Sequence, residues 1–287
     1  MAVVNTNVSA TVAQNALARN ERAMNTAMER LSTGNRINGA KDDAAGLAIS
    51  SRMTSQIRGL ETGIRNANDA ISMINTADGA LIEVTNMLQR MRELAIQASN
   101  GTTTEADREY LNSEYQNLLT EIDRIAQNTQ WNGMNILNHT TVASSTFAYT
   151  VGANAGQTIE VDFGDFNATG ASGLMQDLAS AHGSIAAGTT ASAITTATSA
   201  VVAIDSAITS VNSQRATFGA AINQLTYAVD NLANVKVNAE ASRSRILDAD
   251  YAKETSELAR TQIIQQAGTA MLAQANQLPQ TVLSLLQ

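Results

Sequence analysis

The chain has 287 residues, a formal net charge of -8, no cysteine, two histidines and one proline, and aromatics make up 3% of it. The missing thiols exclude disulfides, thiolate catalysis and cysteine-based zinc sites, and an acidic balance with scattered basic residues excludes a nucleic-acid surface, which needs a basic patch. So few aromatics argue for thin helical layers packed through Leu, Ile, Val, Met and Ala, and a single proline, Pro279, leaves long helices unbroken.

Residues 2–20 lack the basic start and apolar run of a cleavable secretory signal, although a chain exported without a cleaved signal would start the same way. No run approaches the ~20 apolar residues of a membrane span. From the N-terminal end, Ala10, Ala13, Leu17, Asn20, Met24, Ala27 and Leu31 step by three and four, a heptad strip. Asp42 and Asp43 are paired carboxylates, but in KDDAAG they lie between a lysine and small residues, the composition of a solvated turn.

Next, Ile57, Leu60, Ile64, Ala67, Ile71, Ile74, Asp78, Leu81, Thr85, Leu88, Arg92 and Ala95 hold the three-four step without a slip. A second seam, Met73, Ala77, Ala80, Val84, Met87, Met91, Leu94 and Ala98, runs along the same segment. A helix with two apolar seams needs cover on two sides, from its own bundle or from a neighbouring subunit on the second face. Asn100-Gly101 is a stop signal, and Thr102-Thr103-Thr104 before Glu105 and Asp107 offers an N-cap and capping box. The following helix carries Leu111, Tyr115, Leu118, Ile122 and Ile125, and Trp131-Asn132-Gly133 ends the helical pattern.

Between residues 140 and 183, Phe147, Tyr149 and Val151 alternate with polar residues, as do Ile159, Val161 and Phe163, with a Gly-Ala-Asn-Ala-Gly stretch between them. That pattern predicts a β-hairpin. His139 near Ser144 and Ser145 lacks an orienting partner and makes no catalytic set. A long third seam runs from Val201 through Ile204, Val211, Arg215, Phe218 and Leu225 to Lys236 and Ala239. It is long enough to accompany the first. Last, Ile264, Ala267, Met271, Ala275, Leu278, Val282 and Leu285 form a C-terminal strip that mirrors the N-terminal one. Isolated helices of this kind are marginal, so the two ends are expected to pair with each other or with other molecules. The expected fold is mainly α: a long helical-bundle or coiled-coil rod with a small β-hairpin region mid-chain.

Three blocks are recognisable in order: ERLSTGNRINGAKDDAAGLAIS at 29–50, LQRMRELAIQA at 88–98 and IIQQAGTAMLAQANQLPQTVLSLLQ at 263–287. They resemble the flagellin family, over about residues 1–138 and 200–287. The resemblance implies an inner core coiled-coil domain from 1–42 and 248–287, and an outer core helical bundle from 43–138 and 200–247. It leaves 139–199 as a β-hairpin and short variable region, a minimal central segment. It implies a structural subunit that polymerises into the flagellar filament and serves motility, secreted to the extracellular flagellum. The alternatives are a hook-filament junction protein of the same architecture or a non-flagellar surface adhesin.

The polymerisation seam expected on this basis is Leu17, Met24, Leu31, Ile264, Met271, Leu278, Val282 and Leu285. No catalytic, metal or cofactor site is expected, and neither nucleic acid nor membrane as partner. The partners the resemblance implies are other copies of the chain, an export chaperone at the Leu283–Leu286 end, the filament cap and hook-associated proteins. It also implies a host innate immune receptor, at Arg90, Leu94, Gln97 and Glu114, which match positions that contact such a receptor in flagellins.

Overall fold

The computed structural model describes residues 7–138, 145–166, 175, 178, 184–186 and 190–284. His139, Ser144, His182, Leu285 and Leu286 lie outside the described residues, as do the side chains of Leu278, Val282 and Leu283. The fold is mainly α. The helices among the described residues are α1 (Val8–Thr33), α2 (Ala44–Ala98), α3 (Glu105–Asn128), α4 (Thr190–Leu247) and α5 (Tyr251–Ser284). Two small antiparallel sheets pair β1 (Gln130–Trp131) with β2 (Met134–Asn135), and β3 (Thr146–Thr150) with β4 (Thr158–Asp162). The chain divides into two compact units, residues 58–236 and residues 1–57 with 237–287.

The 58–236 unit has the large apolar core. Ile74, Leu81 and Leu88 of the first α2 seam are fully buried, and so are Met91 and Leu94 of the second. Both seams share one cluster with Tyr115 and Ile122 of α3, Phe163, and Ile204, Val211 and Phe218 of α4. The chain itself therefore covers the second seam, and a neighbouring subunit is not needed there. Each such Leu, Ile or Met contributes roughly 1.5–3 kcal/mol on burial.

The polar positions that interrupt the seams have partners. Arg215 pairs with Asp78 at 2.7 Å, Arg92 with Asp205 at 2.6 Å and Lys236 with Glu61 at 2.7 Å. Partners climb α2 as they descend α4, so the helices run antiparallel. Solvent-exposed pairs of this kind contribute little to stability. Their larger effect is on register, because a one-turn slip would bring charges against the hydrocarbon seam.

Helix ends follow from local chemistry. Asp43 Oδ1 accepts the Gly46 amide at 2.9 Å and so caps α2, while Asp42 Oδ2 accepts the amides of Asn38 and Gly39, each at 3.1 Å. The paired carboxylates thus serve the backbone. At the other end of α2, the buried Arg108 donates Nε–H to the Ala98 carbonyl (3.0 Å) and Nη2–H to that of Asn100 (3.2 Å). The Ala98 carbonyl, in the last turn of α2, thereby gains a partner that the helix does not supply. The capping box forms between Thr104 and Asp107 and starts α3.

The predicted hairpin is present, with Phe147 opposite Val161 and Tyr149 opposite Ile159. Phe163 packs on Phe147 and Phe218 at centroid distances of 5.3 and 5.1 Å. Its turn lies against α2 at two glycines: a Cβ on Gly63 would come within 3.0 Å of the Val151 carbonyl carbon, and one on Gly59 within 3.0 Å of the Ala153 Cβ. The β1–β2 hairpin was not expected. Asn132 and Gly133, both at positive φ, form its turn, and Asn-Gly is the common two-residue hairpin loop.

One expectation about membranes needs correction. α4 includes a stretch long and apolar enough to cross a membrane by composition. In it, Ala197, Ala200, Ile204 and Val211 are buried in the core.

Candidate assembly surface

The terminal unit is built on α1 and α5. Asn7 caps α1 by accepting the Ala10 amide at 3.0 Å, and Gly34, at φ +73°, ends it in the left-handed conformation. The two helices lie antiparallel. Asn7 Nδ2 donates to the Ala275 carbonyl at 2.9 Å, Asn20 Nδ2 to that of Thr261 at 2.8 Å, and the Tyr251 hydroxyl to that of Leu31 at 3.2 Å. Arg30 pairs with the buried Glu254 at 3.1 Å. The connectors on either side are stitched together: Asn35 bridges Asp248, the Arg36 amide donates to the Leu247 carbonyl (2.6 Å), and the Ala249 amide to that of Gly34 (2.9 Å).

The N-terminal strip faces α5, with Asn20 and Ala27 buried and Leu17, Met24 and Leu31 half-buried. The strip of α5 that faces α1 is Glu254, Leu258, Thr261, Gln265, Gly268, Leu272 and Ala275, all buried or half-buried. Among the described residues, the sequence-based strip overlaps it only at Ala275. Ile264 is exposed, and Met271 is 66% exposed.

Two pairwise fits explain why the smaller, more polar strip turns inward. A Cβ on Gly268 would sit 2.7 Å from Leu17 Cδ2 and 3.1 Å from its Cγ, so the glycine lets the leucine lie close against α5. The buried Asn20 amide needs acceptors and finds them in the Thr261 carbonyl and, at 3.1 Å, Gln265 Oε1. Meeting both demands leaves the apolar strip outside.

That strip forms one wall of an open groove of about 480 Å³. Val8, Val12, Ala16 and Leu17 of α1 line it with Ile264, Gly268 and Met271 of α5. Val8 and Val12 were not singled out from the sequence. Their four-residue spacing, continued at Ala16, was a signal, but one that runs beside the stronger Leu17 strip. A bare hydrocarbon channel of this kind favours a second apolar surface. Among the described residues that line it, no polar groups converge as chemistry needs.

The four residues matched to a receptor contact do not form one surface. Arg90, Gln97 and Glu114 are exposed. Arg90 Nε donates to Glu114 Oε1 and Nη1 to Glu93 Oε2, each at 2.9 Å, and the Glu114 and Glu93 carboxylates hold the guanidinium above its ordinary pKa. Leu94 is fully buried on the second α2 seam, between Met91 and Ala98. It is not available to a partner in this fold.

Comparison with known proteins assigns both ends. The bacterial flagellin N-terminal helical region matches residues 4–141, and the flagellin C-terminal helical region matches residues 201–286. A flagellin of Halalkalibacterium halodurans is 46% identical over 285 residues, covering 99% of this chain and all of the relative. Flagellin A of Vibrio cholerae is 37% identical over a 381-residue alignment covering 99% of both chains. That alignment is longer than the 287 residues of this chain, so the Vibrio relative carries sequence that this chain lacks. A solved Bacillus cereus flagellin is 31% identical, covers 58% of this chain and 88% of its own, and superposes with a TM-score of 0.49. With helical ends matched to both flagellin regions and relatives aligned over nearly its whole length, the chain belongs to the flagellins, the structural subunits that polymerise into the bacterial flagellar filament.

Proposed function

We propose that the α1–α5 groove is the surface through which this filament subunit takes its neighbour. The observation that carries this reading is the apolar strip left outside the helix pair, Ile264 and Met271, beside Val8 and Val12. Leu17, Met24 and Leu31 hold the pair together so that the strip is presented. Leu278, Val282 and Leu285 continue the strip by sequence. The terminal segments 1–42 and 248–287 then make the inner core, 43–138 and 200–247 the outer core, and 139–199 the variable region. The role is structural rather than catalytic.

The test is seeded elongation with Met271→Asp. A carboxylate desolvated without a partner costs ~3 kcal/mol or more, so elongation should fall by roughly a hundredfold while the monomer's helix content stays the same. Normal filaments from this variant would overturn the assignment.

Family membership supports export to the cell exterior through the flagellar type III apparatus, without a cleaved leader, and handling by an export chaperone, a filament cap and hook-associated proteins. A chain without cysteine forms no disulfide before threading a narrow channel. Sequencing the N-terminus of extracellular protein, and repeating the collection from a strain without the apparatus, tests the route. For a host innate immune receptor, the surface on offer is Arg90, Gln97 and Glu114. Charge reversal at Arg90 should weaken receptor binding, and unchanged binding would remove this site.

A further inference from the structure

The chain has ten methionines and no cysteine, so thioethers are its softest targets for a two-electron oxidant. Their environments differ sharply. Met73, Met91 and Met175 are at most 2% exposed, while Met28, Met134 and Met271 are 51%, 46% and 66% exposed. Of the exposed three, only Met271 lines the groove between α1 and α5.

We infer that Met271 is an oxidant-sensitive site that controls assembly: in the free subunit, a peroxide converts its thioether to the sulfoxide, and the sulfoxide bars the groove to a second copy of this chain. The inference rests on the groove being the assembly surface. A sulfur lone pair attacks one peroxide oxygen, the O–O bond breaks, an S–O bond forms and water leaves. Sulfur loses two electrons and the peroxide gains them. The product is polar and chiral where the thioether was apolar and flexible. Val8, Val12, Leu17 and Ile264 around it are hydrocarbon, and among the described residues Ser9 is the one hydroxyl side chain lining the groove. A second copy seated there would desolvate the new S–O dipole with little to replace its water. Once a copy is seated, Met271 is covered and the reaction is closed off, so sensitivity belongs to the subunit before assembly.

The experiment treats full-length monomer with graded hydrogen peroxide, maps sulfoxide by peptide mass spectrometry and follows seeded elongation by light scattering. The expected result is sulfoxide at Met271, none at Met73 or Met91, and elongation falling tenfold or more in step with Met271 oxidation. Treatment with a methionine sulfoxide reductase should restore it. The double variant Met28→Leu/Met134→Leu, which leaves the groove untouched, should elongate normally and lose elongation on oxidation as the wild type does. Met271→Leu, relative to its own untreated rate, should keep its elongation after the same treatment. Preformed filaments should resist oxidation at Met271. Full elongation by subunits carrying Met271 sulfoxide overturns the inference, as does protection by the Met28→Leu/Met134→Leu pair. Met271→Asp separates the two levels: if it assembles, the groove assignment itself fails. If it does not assemble but oxidised wild type does, only the oxidation inference fails.

Discussion

The two units of this chain solve opposite packing problems with the same heptad spacing. In the 58–236 unit the large residues point in: Leu81, Leu88, Met91, Leu94 and Phe218 are all within 1% of full burial. In the terminal unit, the α1–α5 contact is made by Asn20, Thr261, Gln265 and Gly268, while Val8, Val12, Ile264 and Met271 stay outside. One core is complete within a single chain. The other is held by hydrogen bonds and by the half-buried Leu17, Met24 and Leu31, and a further apolar strip stays outside. A three-four repeat shows that a helix has an apolar face, but does not show whether that face meets its own chain or a neighbouring copy.

The sharpest way to break this contrast is to truncate on both sides of it. Leu88→Ala should destabilise the 58–236 unit by about 2–5 kcal/mol, seen as a lower midpoint in denaturant. Met271→Ala should shift monomer stability by about 0.5 kcal/mol or less, because its side chain is already mostly in water. Comparable losses in the two variants would erase the distinction.

Alkali provides the next test. Burial pushes the Tyr115 phenol up to about 12. A phenol whose folded pKa lies above its unfolded value of about 10 contributes its full stabilisation below pH 10. That contribution drains away as pH rises through 12. Tyr115 is fully buried, so its share of the loss should reach roughly 2–3 kcal/mol at the top of this window, and Tyr115→Phe should reduce the pH dependence without abolishing it, because burial also pushes the Tyr149 phenol up to about 12. Hydrogen exchange across the same pH range should show α3 weakening.

In the terminal unit, Asn20→Ala should cost about 1–2 kcal/mol by removing two hydrogen bonds from a buried site. Limited proteolysis of the monomer should then cut α1 and α5 faster, with α2 and α4 unaffected between residues 58 and 236. The smallest expected change is at the half-exposed ion pairs. Arg92→Ala should give a small drop in thermal midpoint that shrinks with added salt.

Much of the 58–236 unit was legible because its signals are local or strictly periodic. The two α2 seams, the Thr104–Asp107 capping box and the Phe147/Tyr149 alternation each follow from spacing alone. The Asn132-Gly133 turn was equally legible, but its helix-ending role hid its hairpin role. The second α2 seam was ambiguous for a physical reason, since a buried face and a subunit-facing face have the same composition. The inner strip of α5 was not legible. Which of two adjacent strips turns inward depends on Leu17 against Gly268 and on Asn20 against Thr261, two fits between residues more than 240 positions apart. Leu94 shows a related limit: matching a residue to a contact position does not fix its exposure.

The stitched connectors have a mechanical consequence. α1 gives way to α2, and α4 to α5, at places joined by Arg36–Leu247 and Gly34–Ala249 backbone hydrogen bonds and by the Arg36 guanidinium on the Ile246 carbonyl at 2.7 Å. Tension applied to either connector must therefore pass partly into the other before either can extend. Short antiparallel bonds of this sort, pulled along the chain, are loaded together in shear and must break together. These two breaks in helical hydrogen bonding thus bear load as a pair.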